Sequence, residues 1–258
     1  MNTLADTFVA NHPVVSGAHW LSARKALLAR EKELTRLHDE LARERRALPW
    51  QRVEKDYAFD TPQGRCTLAE LFGERSQLLV QHFMFGVGWE QGCPSCSFMA
   101  DHADGMAQHL AQRDIALVAI SHAPLAAIEV FRRRMGWQFP WVSAHDSDFN
   151  YDFDVSFAPA EKGESAVYYN YTVQSFPAEE APGISVFYKD QAGDIFHTYS
   201  TYGRGVEVMI GAYRMMDLTP KGRAERNAGH KMDWVRHHDR YGTAPQAAAA
   251  GGCCHSQA

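Results

Sequence analysis

The sequence lacks a long apolar run, a surplus of basic charge and a cysteine framework, and each absence removes a class of protein. No stretch is apolar enough for long enough to span a bilayer, and the start, Met1-Asn2-Thr3-Leu4-Ala5-Asp6, has no basic region leading into an apolar core. A cytoplasmic protein without a membrane partner is therefore expected. A formal net charge of −5 gives no support to a general nucleic-acid surface, so no nucleic-acid partner is expected either. Five cysteines in 258 residues, Cys66, Cys93, Cys96, Cys253 and Cys254, are too few and too clustered for a disulfide scaffold. No Gly-x-Gly-x-x-Gly fingerprint follows a strand. No cofactor is expected, and any electrons must come from an external donor, either another protein or a small thiol.

With 45% hydrophobic residues and charge spread along its length, the chain can bury a sizeable core. Three parts are expected: a leader and long amphipathic helix over 1–49, an α/β domain over 50–242, and a flexible tail over 243–258. The helix is predicted from about His19 to Leu48, where Gly and Pro are missing and Trp20, Leu27, Leu34, Leu41 and Leu48 recur every seven residues. Pro49 stops it, and Arg43, Arg45 and Arg46 suit its carboxyl end. Its narrow stripe has two readings, packing on its own domain or pairing in a homodimer.

The stretch Gly92-Cys93-Pro94-Ser95-Cys96-Ser97-Phe98 carries the chemistry. It follows an apolar strand over 78–85 and opens a helix expected to run to about Arg113, so a Cys-x-x-Cys pair falls where strand hands over to helix. Pro94 suits the first helical position. The first sulfur should sit exposed at the tip, where the unpaired N–H groups favour its thiolate, with Cys96 facing inward. Downstream, Ile115-Ala116-Leu117-Val118-Ala119-Ile120 reads as a buried strand, 125–135 as a helix ended by Gly136, and 139–143 as extended. Strand–helix alternation implies a parallel sheet between helices. Over 149–157, Phe149, Tyr151, Phe153, Val155 and Phe157 alternate with polar residues, which reads as an inserted, half-buried strand whose carboxylates are its solvated face, with paired carboxylates for metal or acid–base work as the second reading. Residues 184–189 and 195–200 flank Asp190-Gln191-Ala192-Gly193-Asp194 as a β-hairpin. Helices are expected at 206–216 and 221–240, and Cys66 is expected to be a buried, unreactive thiol.

An early Cys-x-x-Cys, a βαβ unit and a late hairpin resemble the thioredoxin superfamily. More specifically, the chain resembles a bacterial thioredoxin-like family labelled domain of unknown function 899. That resemblance rests on Leu48-Pro49-Trp50, Lys55-Asp56-Tyr57, His82-Phe83-Met84-Phe85-Gly86, the 92–98 stretch, Arg134-Met135-Gly136-Trp137, Phe139-Pro140-Trp141-Val142-Ser143 and Phe196-His197-Thr198-Tyr199-Ser200-Thr201-Tyr202. It implies a three-layer αβα sandwich with a mixed central sheet, and a thiol–disulfide oxidoreductase. Cys93 would be the nucleophile and Cys96 the resolving thiol, acting on a protein or small-molecule disulfide. Trp89, Pro94, Ser95, Pro182 and His197 are expected to line the site, Pro182 as the cis-proline such folds place against the disulfide. Aromatic residues Trp137, Trp141, Tyr199 and Tyr202 could shape a pocket or simply pack. Peroxiredoxins place a Pro and a Thr or Ser at fixed offsets before their cysteine. The corresponding residues here are Gly86 and Glu90, so that motif is absent.

A second class of reading is soft-metal binding or delivery of Cu(I) or Zn by Cys93 and Cys96 together with Cys253, Cys254 and His255. A lone Cys-x-x-Cys supplies half of a zinc site. His82 and His197 are candidate further ligands, although a strand histidine is more often a satisfied core residue. The tail cysteines could also exchange disulfides with Cys93 and Cys96.

Overall fold

The computed structural model describes residues 11–158, 166–225 and 231–242. Helix α1, Gly17–Ala47, is capped by the Ser16 hydroxyl, which accepts from the His19 N–H at 3.3 Å, and it ends just before Pro49. No residue of α1 is buried. The seven-spaced stripe therefore stays largely exposed, and the last turn meets the body where Arg45 lies over the Tyr199 ring at 5.7 Å.

After α1 come β1 (Gln51–Arg52), β2 (Ala58–Thr61), β3 (Gly64–Thr67), the one-turn α2 (Leu68–Leu71) and β4 (Gln77–His82). A capping box between Thr67 and Glu70 starts α2, satisfying two orphan N–H groups at once. Next follow α3 (Pro94–Ala100), α4 (Ala103–Ala111), β5 (Ile115–Ser121), α5 (Leu125–Met135), β6 (Trp141–Ser143) and the one-turn α6 (Phe149–Asp152). The single helix expected to run on to Arg113 is two, α3 and α4, broken at 101–102. Gly136 ends α5 at φ 72°, a left-handed cap that a residue without Cβ adopts freely. The remainder comprises β7 (Ala166–Tyr169), β8 (Thr172–Ser175), β9 (Gly183–Lys189), β10 (Ile195–Tyr202), a 3-10 segment Gly203–Met209 and α7 (Gly211–Met216).

Eight strands form one mixed sheet in the order β1-β10-β9-β4-β5-β6-β2-β3. Strand β4 runs parallel to β5 and antiparallel to β9, β5 runs parallel to β6, and β9 and β10 form the expected hairpin. The order β10-β9-β4-β5, with the cysteine helix in the β4–β5 crossover, is the thioredoxin-like arrangement. Helices lie on both faces, unequally. One face holds the larger core, into which α3, α4 and α5 place Cys96, Phe98, Met99, Ala103, Ile128, Phe131 and Met135. The other buries Leu78, Val80, Val118, Ile120 and Phe187 under Leu68 of α2 and Phe149 and Phe153 of the α6 region.

Two further expected elements differ. Over 149–157 the alternation is not a strand: Phe149–Asp152 is a helical turn. Phe149 and Phe153, four residues apart, share one helical face as readily as one strand face, and both enter the second core. Asp148 and Asp152 serve ion pairing, since Lys55 Nζ lies 2.8 Å from Asp148 and 2.7 Å from Asp152. The inserted β segment is instead the small β7–β8 hairpin, whose turn places Asn170 at φ 53° and Tyr171 at φ 63°. The helix expected over 221–240 is also missing from the described residues, which hold turns and a 3-10 piece, His238–Arg240.

Candidate active site

Strand β4 delivers the chain to the carboxyl end of the parallel strands, where an open crevice is the usual place for ligands in α/β sheets. There the loop 83–92 turns back, and the Cys93 N–H donates to the Met84 carbonyl at 3.0 Å. Gly92 is required by packing. A Cβ there would stand 2.5 Å from Phe83 Cε1 and 2.9 Å from Phe131 Cε1, so only glycine lets the chain pass under these rings. Cys93 is the N-cap of α3 and Pro94 its first residue, as the spacing predicted. The Cys93 carbonyl accepts from both the N–H and the hydroxyl of Ser97, each at 2.9 Å, which anchors the first turn. Beneath it, Gln81 Nε2 donates to the Cys96 carbonyl at 3.2 Å.

Both cysteines are thiols, and both are covered: Cys93 is 4% exposed and Cys96 1%. Cys96 faces inward as expected. Cys93 does not sit exposed at the tip, where the half-buried residues are Pro94 and Ser95. The last described segment is tied to the residue before Cys93. His237 Nε2 bonds to the Gly92 carbonyl at 2.9 Å, and Arg134 of α5 clamps Asp239 with two contacts of 2.8 and 2.9 Å while reaching Gln91 at 3.1 Å. Trp137 and His238 meet on the Asp101 carboxylate, at 2.9 and 2.6 Å. Residues 237–239 are thus tied to Gly92, Arg134 and Asp101, beside the start of the helix that carries Cys93.

The other residues expected to line the site fall into two groups. Trp89 is beside it: its indole donates to Glu179 Oε1 at 2.9 Å, and Gly86 leaves room for that contact. Pro182 precedes β9 as expected, but its peptide bond is trans, because the described residues contain no cis bond. The following Gly183 is a packing necessity, since a Cβ would meet Tyr202 at 2.9 Å and His82 at 3.2 Å. His197 lies on the opposite face of the sheet from the cysteines, its ring against Phe153 and Phe187. His82 shares that face, stacked on Phe149 and Phe153. Neither histidine belongs to the cysteine core. Trp137, Trp141 and Tyr202 are core residues, whereas Tyr199 is half-buried under Arg45. Cys66 is half-buried on β3, with burial first and then Glu70 and Asp60 pushing its thiol up. Among the described residues no group of three or more His, Cys, Asp or Glu side chains could hold a metal. The tail residues Cys253, Cys254 and His255 lie outside the described residues.

A carboxylate–histidine pair that no sequence motif marks lies at the same end of the sheet. Glu180 is buried, receives the Ser156 hydroxyl at 2.7 Å and holds His122 Nδ1 at 3.1 Å. Burial pushes the Glu180 carboxyl up, and its carboxylate raises His122 in turn. His122 is linked to the cysteine loop through its chain neighbour, since the Ala123 N–H donates to the Phe85 carbonyl at 2.8 Å. The Glu179-Glu180 doublet before Pro182 was the available signal, because two acids ahead of a buried strand need partners.

The fold is that of a thioredoxin-like α/β protein, with Cys93 and Cys96 at the head of its first crossover helix. The chain belongs to the family described as bacterial protein of unknown function (DUF899), whose model matches residues 9–241. No curated protein matches it. Among solved structures, it is similar to a mutant PrxQ of Xylella fastidiosa, at 12% identity over 62% of this chain and 88% of that chain, with a TM-score of 0.39. It is also similar to the peroxidoxin BcpB of Mycobacterium tuberculosis, at 14% identity over 64% and 96% of the two chains, with a TM-score of 0.41. A protein of Chlorobium tepidum described as the thiol:disulfide interchange protein DsbE matches at 14% identity over 64% and 97%, with a TM-score of 0.37. No described helix is long and apolar enough to cross a membrane.

Proposed function

We propose that this protein is a thiol–disulfide oxidoreductase acting through Cys93 and Cys96. The observation that supports it is positional: one cysteine caps α3 and the other lies in its first turn, at the carboxyl end of a central parallel strand. The Cys93 thiolate attacks one sulfur of a protein or small-molecule disulfide, forming a mixed disulfide and releasing the first substrate thiolate. Cys96, deprotonated, then attacks Cys93 Sγ. The Cys93–Cys96 bond forms, the second substrate thiol leaves, and two electrons have passed to the substrate. An external thiol donor returns the pair to the dithiol. Because Cys93 is covered, the loop 86–92 or the segment 231–241 must yield before attack.

Thiol trapping with mass spectrometry across a series of redox buffers tests this reading, beside metal analysis of the purified protein. A reversible Cys93–Cys96 disulfide at a defined potential is expected. Stoichiometric metal that resists reductant, with no disulfide at any potential, would overturn the proposal in favour of a soft-metal site. Cys93→Ser should lower disulfide reductase turnover by at least 100-fold with the fold retained, and unchanged turnover would show that Cys93 is not the nucleophile.

A further inference from the structure

We propose that α1 is one half of an antiparallel two-helix seam made with a second copy of this chain, with Leu34 beside the two-fold axis. The proposal is independent of the redox reading. None of the 31 residues of α1 is buried, and Trp20, Leu27, Leu34, Leu41 and Leu48 remain between 37% and 59% exposed. A helix of this length in water is held by packing of an apolar face more than by its propensity, and the seven-residue repeat fills one of the two positions per heptad that a helix–helix seam uses, with Leu21, Leu28 and Leu37 flanking it.

The stripe is complementary to itself. Reversal about Leu34 sets Leu27 against Leu41 and Trp20 against Leu48, the closed isologous contact that a two-fold dimer requires. Charge chooses the direction. A parallel pair would align every charged residue of the helix with its own copy, Arg43, Arg45 and Arg46 among them, whereas reversal leaves two like-charge alignments, Arg43 with Lys25 and Arg36 with Lys32, sets Arg45 and Arg46 opposite Ala23 and Ser22, and sets Glu44 opposite Arg24. Arg24 already pairs with Glu31 one heptad along at 2.8 Å, which neutralises charge beside the stripe.

The base of the helix gives the reversed partner a place to end. Leu48 leads into Trp50, itself 50% exposed, whose ring packs on Tyr188 at 5.0 Å and Phe196 at 5.8 Å. In the reversed pair, Trp20 of the second copy lands at this aromatic base. A helix about 46 Å long and about 10 Å wide offers a footprint of roughly 500 Å². With the aromatic base, that approaches the ~800 Å² per partner of a standard stable interface.

Light scattering on the full chain should give a dimer, and Leu34→Glu with Leu41→Glu a monomer whose circular dichroism keeps the signal of the sheet. Oxidative cross-linking, mapped by mass spectrometry to exclude the native cysteines, fixes the direction and does not depend on that variant folding. Leu34→Cys should cross-link to itself. Leu27→Cys and Leu41→Cys should each fail alone and cross-link when mixed. A chain that stays monomeric over the micromolar range, or a Leu27→Cys variant that cross-links to itself as readily as Leu34→Cys, overturns the proposal.

Discussion

Gln81 and His82 are neighbours on β4, both buried, and they point to opposite faces of the same sheet. Gln81 reaches the cysteine helix through the Cys96 carbonyl. His82 enters a chain of four side chains, in which its Nε2 lies 2.8 Å from Ser185 Oγ, Ser185 lies 2.7 Å from Ser200 Oγ, and Ser200 lies 2.7 Å from His197 Nε2. The two hydroxyls supply two protons to three contacts, so one imidazole must donate the third. The faces differ in what holds them. On the sulfur face, Phe83 and Phe131 pack over Gly92 and a long-range bond from His237 holds its carbonyl. On the histidine face, hydrogen bonds between side chains of the paired strands β4, β9 and β10 hold His82 and His197.

The largest expected effect tests the histidine face. Burial holds His82 far below its ordinary value, at about 3, with His197 adding in the same direction. Burial also lowers His197 and His237. The unfolded chain takes up a proton near pH 6.5 and the folded His82 does not, so this stability is complete above pH 6.5 and is lost as pH falls from there toward 3. At about 1.4 kcal/mol per pH unit, the loss reaches several kcal/mol. Denaturant titrations at pH 7.5 and pH 4.5 measure it, and His82→Phe, which fits among Phe149 and Phe153, should flatten the difference. An unchanged slope in that variant would mean that the acid sensitivity arises elsewhere.

Gly92→Ala probes the sulfur face by adding one methyl group. Its Cβ would meet Phe83 and Phe131 below contact distance, and both are ring carbons in a packed core. Overpacking of this kind costs about 1–3 kcal/mol. A lower denaturation midpoint together with altered Cys93 trapping is expected, whereas Gly88→Ala, where a Cβ meets nothing but φ is 79°, should alter stability without that link to the thiol.

The two faces were unequally legible in the sequence. The position of Cys93 and Cys96 followed from local signals: an apolar run, a glycine, and proline at the first helical position. The β9–β10 hairpin followed from two alternating runs around Asp190 and Gly193, where the Asp190 carboxylate accepts from the Ala192 and Asp194 N–H groups. The tie from His237 to the Gly92 carbonyl was not legible, because the two lie 145 residues apart and no local pattern marks such a pair. The hydroxyl chain was hidden for a related reason. Ser185 and Ser200 face each other only through the register of β9 and β10, and a small polar residue on a strand reads as solvent-facing until that register is known. The α6 turn failed differently, since aromatic residues at 149 and 153 satisfy both a two-residue and a four-residue period.

The smallest expected effect asks whether the segment 237–239 is a strap that controls access to Cys93 or a fixed part of the core. His237→Ala removes the bond to the Gly92 carbonyl and the ring contact with Phe131, while leaving the Arg134–Asp239 clamp in place. A single neutral hydrogen bond contributes about 1 kcal/mol, so opening should become several-fold more frequent. Cys93 should then react several-fold faster with a small alkylating reagent, with Cys66 in the same sample as an internal reference that does not change. If both thiols speed up together, the substitution has loosened the whole fold. If neither does, the strap does not control access and the loop 86–92 must open from its other side, where Trp89 rests on Glu179.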